Sequence, residues 1–179
     1  MKMRELSSIA LMVAVMALIA QIAWPLWPIP VTLQTVGVIA ACLLLPRKNA
    51  VLAILVYILL GLAGLPVFSG GRGGLAIIAG PSGGFLYGFI PAVWIGASLL
   101  NKGVATKLWR VYAAAYITMP CYFCLGIVHC ALVMHISLPQ AIIISALPFL
   151  IIDALKILIF TPLIWRIRRL LHLQSPKLF

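Results

Sequence analysis

Apolar positions in this chain neither alternate nor recur on a single helical face; they come in long runs, with polar residues collected at the junctions. The runs cover about 6–23, 33–45 and 49–63, then one that opens at Gly80-Pro81-Ser82-Gly83-Gly84 and ends near Leu100, then 108–135 and 140–165. A stretch of about 20 apolar residues is what a helix needs to cross the hydrocarbon core of a bilayer. Runs two and three are shorter, each about 20 Å by helix rise, and meet at Pro46-Arg47-Lys48. They must tilt, or leave part of the membrane thickness to another segment, for which the glycine-rich stretch 61–87 is the candidate. Between runs one and two, WPLWPIP (24–30) has too many prolines to continue a helix. Its tryptophans suit the membrane–water boundary, so it reads as an outer loop. Pro120 predicts a kink in the fifth run, residues 135–139 the last outer loop, and the sixth run carries Pro148 and Pro162.

Composition turns these runs into a fold class. Of the 179 residues, 65% are hydrophobic and only 8% charged, and the mean hydropathy is +1.22. A soluble domain carries roughly a quarter of its residues charged. The chain therefore reads as an all-α integral membrane protein, a single transmembrane domain over 1–179. A net charge of +11 would suggest nucleic acid in a soluble protein. Here its distribution argues otherwise, because cytoplasmic loops collect Lys and Arg. Lys2 and Arg4 precede run one, Arg47 and Lys48 follow run two, Lys102, Lys107 and Arg110 follow run four, and Arg166, Arg168, Arg169 and Lys177 follow run six. Basic residues at every second junction predict six spans with both termini in the cytoplasm and no nucleic-acid partner. The first run has the basic start of a signal peptide, but the segment after it is equally apolar, so an uncleaved first helix is expected. Within it, Ala10 and Ala14 form a small-xxx-small pair, either a helix contact or the ordinary frequency of alanine.

Two places carry candidate chemistry. The stretch 61–87 holds most of the fourteen glycines together with Arg72, a charge far from the other basic clusters. It matches neither the phosphate-binding loop of ATPases nor a dinucleotide fingerprint in a strand–helix unit. Irregular backbone at membrane depth is tolerated where it packs in protein or lines a cavity, and glycine lets such backbone approach a ligand. Ser82 is a candidate N-cap, with free N–H groups behind it that suit an anion or a carbonyl. The alternative is a loop rich in glycine for tight packing, with Arg72 a loop-surface charge. The second place is Asp153 and Lys156, which share a helix face at i and i+3. They lie about 15–20 Å from Arg166 by helix rise, within the bilayer. Ionisable groups there usually face a cavity or one another; the alternative is a structural ion pair. Thr32 and Gln34 sit close enough to the outer loop to point back toward whatever it covers. Cys121, Cys124, His129 and Cys130 invite a metal, but at about 100° per residue one helix cannot aim them at one ion. They read as small buried hydrophobes, with neither a metal nor a catalytic role.

Four segments together carry a resemblance: IPVTLQTVGV (29–38), LLGLAGLPVFSGGRGGL (59–75), GPSGGFLYGF (80–89) and ALPFLIIDALK (146–156). In these the chain resembles the BioY family, the biotin-specific substrate-binding (S) components of energy-coupling factor transporters, over almost its whole length. The resemblance implies the six-helix S-component fold in the bacterial cytoplasmic membrane and high-affinity biotin uptake without enzymatic activity or a cofactor. It also implies a transmembrane coupling subunit and two cytosolic ATPase subunits as partners, with Ala10 and Ala14 facing the coupling subunit. Ser82 and Phe85 stand where members of the family usually carry Thr and Tyr. Ile151-Ile152 stand where they often carry Pro-Gly, which puts a helix break at Asp153 in doubt. Biotin offers a ureido group with two N–H donors and a carbonyl, an apolar ring, and a carboxylate. Asp153 is expected at the ureido edge, with Lys156 on either Asp153 or the ligand's carboxylate. Ser82, Gly83 and Gly84 would supply hydrogen bonds, Gln34 and Tyr87 would line the pocket, and Gly74 and Arg72 would bind the substrate from the glycine-rich loop. Asp153, Lys156 and Arg72 sum to +1, which one bound carboxylate neutralises. The alternatives are an S component for another small vitamin and an intramembrane enzyme using a Cys or His of the fifth span.

Overall fold

The computed structural model describes residues 3–25, 29–100 and 107–174, with side chains described as far as 171. Lys2, residues 26–28 including Trp27, Lys102 and Lys177 lie outside the described residues. Within them the chain forms α1 (Met3–Ile19), a two-stranded ribbon of β1 (Ala23–Trp24) and β2 (Val31–Thr32), α2 (Gln34–Leu44) and α3 (Arg47–Leu62). Next come α4 (Leu75–Ala79), α5 (Gly83–Ser98), α6 (Leu108–Met134), α7 (Leu138–Ser145) and α8 (Leu147–Gln174). The apolar runs and the helices coincide closely at α2, α3, α5 and α6, where proline, glycine or basic residues mark the ends. Among the described residues α6 and α8 are long and apolar enough to cross a membrane, and α2 and α5 are shorter apolar helices. Leu11, Leu132 and Ile151 are each about 70% exposed on the helix surfaces, as suits a membrane protein whose outer solvent is hydrocarbon.

Three local structures differ from the pattern of runs. The segment after α1 is not a plain loop: Ala23 pairs with Thr32 and Trp24 with Val31 in an antiparallel ribbon. Two-residue strands are too short to leave an alternation in the sequence. The glycine-rich stretch contains a helix of its own, α4, entered through Gly74 at φ 91°. The sixth run is two helices rather than one. Ser137 and Gln140 form a capping box that starts α7 with Pro139 in its first turn, so the helix begins inside the expected loop. It ends at Ala146, just before Pro148, whose ring and missing N–H belong at a helix start. Asp153 then sits in the uninterrupted helix α8, and α6 likewise runs on through Pro120.

α2 occupies the middle of the molecule. Nine of its eleven residues are buried, and it packs against α1, α3, α5, α6 and α8. Its C-terminal end is held by Arg168 of α8, buried, which donates from a guanidinium nitrogen to Leu43 O at 2.8 Å. α5 and α6 share the most extensive helix contact. Its cause is a stripe at every fourth position of α5: Gly84, Gly88, Ala92 and Gly96. A methyl group placed on Gly88 would stand 2.8 Å from Tyr122 Cα, and one on Gly84 2.9 Å from Gly126 Cα. Without hydrophobic drive between helices in lipid, close backbone approach at small residues is what holds such a pair.

Candidate ligand-binding site

α5 turns a second stripe away from α6. Ser82, Phe85, Leu86 and Phe89, at i, i+3, i+4 and i+7, form one wall of a cavity of about 70 Å³. α8 contributes Phe149, Asp153 and Lys156 at the same helical spacing, α6 contributes Tyr122 and Phe123, and the start of α2 contributes Gln34 and Thr35. The turn 68–72 lies over it with Phe68, Ser69 and Arg72. The walls are aromatic and aliphatic, with a few polar groups converging between them, as is typical of small-molecule sites.

The polar centre is a closed set of bonds. Lys156 Nζ lies 2.7 Å from Asp153 Oδ1, an ion pair with both side chains more than 90% buried. The same ammonium donates to Thr32 O at 2.6 Å and to Thr35 Oγ1 at 3.3 Å. Thr35 in turn donates to Asp153 Oδ1 at 3.2 Å, and the buried Tyr122 hydroxyl donates to Asp153 Oδ2 at 2.8 Å. An ammonium has three donors, and Lys156 has used all of them. A carboxylate has about four acceptor sites, so Oδ2 retains capacity for one further donor. Burying the pair is tolerable only because each charge is compensated and hydrogen-bonded.

A second network orients Gln34. The Tyr57 hydroxyl donates to Val67 O at 2.8 Å, so toward Gln34 its oxygen can only accept, which it does from Nε2 at 2.8 Å. The Gln34 amide is thereby fixed with its nitrogen toward Tyr57, and Oε1 is left as an acceptor in a residue that lines the cavity. Tyr57 also stands edge-on to Phe68, with ring centroids 5.6 Å apart, tying the turn 68–72 to α3.

Of the residues singled out in the sequence, Asp153, Lys156, Gln34, Thr32, Ser82 and Arg72 line this one cavity. Ser82 precedes α5 but makes no side-chain cap to it. Arg72 is exposed, its Nε donating to Ser69 O at 3.0 Å. Tyr87, Gly74, Gly83 and Gly84 do not line the cavity. Tyr87 is two positions past Phe85, about 200° around the helix, and its ring meets His129 edge-on at 5.3 Å. Gly83 and Gly84 are buried against α4 and α6, where a side chain would strike Ile78 O and His129. Close packing is what requires glycine at both positions. Gly74 serves the turn into α4, its N–H bonded to Gly61 O at 2.7 Å. Among the cysteines and histidine of α6, Cys121 donates to Ile117 O at 3.2 Å, Cys130 lies 3.6 Å from the Met134 sulfur, and His129 pairs with Gly80 O at 3.0 Å. Thr35, Tyr122, Tyr57 and Ser69 escaped sequence reasoning, since each is an ordinary residue for its helix or loop until the fold brings it to the cavity. Ala10 and Ala14 lie elsewhere, both exposed on α1.

Comparison with known proteins adds a consistent pattern. The model of the BioY family matches residues 1–173. A Thermotoga maritima protein named "Biotin transporter BioY" is 31% identical over 94% of this chain and 98% of its own length. A Pyrococcus horikoshii protein named "Probable biotin transporter BioY" is 36% identical over 87% of this chain and 91% of its own. A Bacillus subtilis relative of the same name is 39% identical, the match spanning 65% of this chain and 63% of that protein. Among solved structures, a crystal structure of the S-component for biotin from an ECF-type ABC transporter superposes with a TM-score of 0.85 at 25% identity, covering 93% of this chain and 91% of that one.

Proposed function

The chain belongs to the BioY family, and from that premise we propose that it is the biotin-binding S component of an energy-coupling factor transporter. The observation that carries the reading is a largely apolar cavity, in a fold shared with a biotin S-component, lined by the buried Asp153–Lys156 pair. In this reading the whole chain is one transmembrane domain of six spans, α1, α2, α3, α5, α6 and α8, in the bacterial cytoplasmic membrane. Both termini face the cytoplasm. The short α4 and the turns around it cover the vitamin on the outer side. The protein is a capture subunit and not an enzyme.

Biotin's chemistry fits the atoms that remain free. Its ureido edge has two N–H donors, and the cavity offers two acceptors, the spare capacity of Asp153 Oδ2 and the oriented Oε1 of Gln34. Lys156 serves the site by pairing with Asp153 and holding it in place. Phe85, Phe89, Phe123 and Phe149 supply the apolar walls for the sulfur ring. Ser82 adds a hydroxyl on the α5 wall. Transport then requires partners that hydrolyse ATP, a transmembrane coupling subunit and two cytosolic ATPases, with Ala10 and Ala14 as the small-residue face of α1 offered to the coupling subunit.

Uptake of labelled biotin by bacteria that lack their own biotin transporter tests the reading. Expression of this chain with a coupling subunit and ATPases is expected to restore uptake, and excess unlabelled biotin, but not other vitamins, to abolish it. Equal competition by a different vitamin would transfer the site to that substrate.

A further inference from the structure

A second, larger hollow lies apart from the binding cavity. α1 and α8 both pack on α2 but do not close over it, and the groove between them has a volume of about 1100 Å³. Val36 and Ala40 of α2 form its floor, Leu11 and Val15 of α1 one wall, and Leu163 and Ile167 of α8 the other. Leu11 and Leu163 are more than half exposed. Ala10 and Ala14 do not line it; each is turned about 100° around α1 from Leu11 and Val15. The groove is therefore a different surface from the small-residue face.

Its two ends differ in charge. At the end where α1 starts and α2 finishes, cytoplasmic in the proposed topology, Arg4 and Pro46 line it. Arg168 stands beside this end, bonded to Leu43 O at 2.8 Å, and Lys48 is exposed two residues past Pro46. Ser7 and Ser8 also line it, but their hydroxyls already donate to Met3 O at 3.0 Å and Glu5 O at 2.8 Å. The chain cannot neutralise these cations itself. It has two acidic residues; Asp153 is paired with Lys156, which leaves Glu5 against Arg4, Arg47, Lys48, Arg166, Arg168 and Arg169. The wall on α8 begins at Phe160 and passes Trp165, whose ring lies 4.7 Å from the Arg169 guanidinium. Tryptophan marks the membrane–water boundary, so the two-walled part lies in the cytoplasmic leaflet and its headgroup layer. Basic pockets between helices on that side bind anionic lipid heads.

We propose that the α1–α8 groove binds an anionic phospholipid of the cytoplasmic leaflet: an acyl chain lies on Ala40 between the two walls, and Arg4 pairs with the headgroup phosphate. Arg168 and Lys48 add positive field at the same end. The apolar length supplies affinity, through the methylenes it buries, and the cationic end supplies the preference for negative charge. The inference rests on the proposed membrane orientation and is independent of which vitamin the cavity holds.

The test is native mass spectrometry of the full chain released from detergent. It is titrated with phosphatidylglycerol, with phosphatidylethanolamine of the same acyl chains, and with glycerol phosphate, which has the head without the chains. Wild type is expected to hold one phosphatidylglycerol at least about fivefold more tightly than phosphatidylethanolamine, and to hold no glycerol phosphate. Arg4→Gln is expected to weaken phosphatidylglycerol about fivefold, the effect of one basic residue near anionic lipid, with phosphatidylethanolamine unchanged within about twofold. Ala40→Phe fills the floor and should weaken both lipids alike. Leu163→Trp, on the exposed wall, repeats that arm if Ala40→Phe lowers the melting temperature. Arg110→Gln, a cation away from the groove, should alter neither. Equal affinity of wild type for the two lipids, or equal losses in Arg4→Gln and Arg110→Gln, would overturn the site, as would binding that the filled floor leaves unchanged. Glycerol phosphate held as tightly as the lipid would overturn it in favour of a plain phosphate site. An empty wild-type groove would overturn it too, and cross-linking of Leu163→Cys to the coupling subunit or to a second copy would then identify a protein helix as the occupant.

Discussion

At the scale of single residues, Asp153 is the centre of the polar network. Lys156, Thr35 and Tyr122 all donate to it, so replacing any one changes both the fold and the site. Lys156→Met would leave a buried carboxylate with only two hydroxyl donors. Removing one partner of a buried pair costs about 3–5 kcal/mol, so the melting temperature in detergent should fall sharply; an unchanged melt would mean the pair is not a closed unit. Tyr57→Phe probes the other network. It removes the hydroxyl that fixes the Gln34 amide, so the biotin Kd should rise severalfold although Tyr57 does not line the cavity. An unaltered Kd would take Gln34 out of recognition. Asp153 and Lys156 were legible in the sequence because charge stands out in an apolar run. Thr35, Tyr122 and Ser69 were not. Hydroxyl side chains are unremarkable in helices and loops, and their part depends on contacts between segments as far apart as the 118 positions from Thr35 to Asp153.

At the scale of elements, the glycines from Gly70 to Gly96 serve two purposes that sequence alone did not separate. Gly70 and Gly71 make the turn that presents Ser69 and Arg72, whereas Gly84, Gly88 and Gly96 let α5 lie against α6. The two stripes of α5 divide its work: one grips α6, the other faces the cavity. Gly88→Leu would push a side chain into the backbone of Tyr122, displacing the residue that holds Asp153 Oδ2. Overpacking of this kind costs about 1–3 kcal/mol or more, so both the melting temperature and biotin affinity should fall, and loss of neither would contradict the close approach. The helix limits at α2, α3, α5 and α6 were readable from run length and breakers. The α7–α8 break was not, because Ser137, Gln140 and Pro148 lie inside an apolar stretch whose hydropathy never drops.

At the scale of the whole molecule, the proposed capture site and the proposed coupling face lie on different parts of the fold. The cavity is walled by α2, α5, α6, α8 and the 68–72 turn, while Ala10 and Ala14 are exposed on α1 and line none of it. Replacing both alanines with leucine should therefore leave biotin binding within about twofold of wild type and abolish uptake with the coupling module. Loss of binding would show that α1 shapes the cavity, and normal uptake would move the coupling surface elsewhere. The central claim is that this chain captures biotin by itself, at Asp153. The most direct measurement is calorimetric titration of biotin into the purified chain, without partners, beside its Asp153→Asn variant. The account predicts tight one-to-one binding that weakens at least tenfold in the variant, consistent with about 1.5–3 kcal/mol for a hydrogen bond to a charged group. Absence of binding by a folded sample, or equal affinity in the variant, would contradict it.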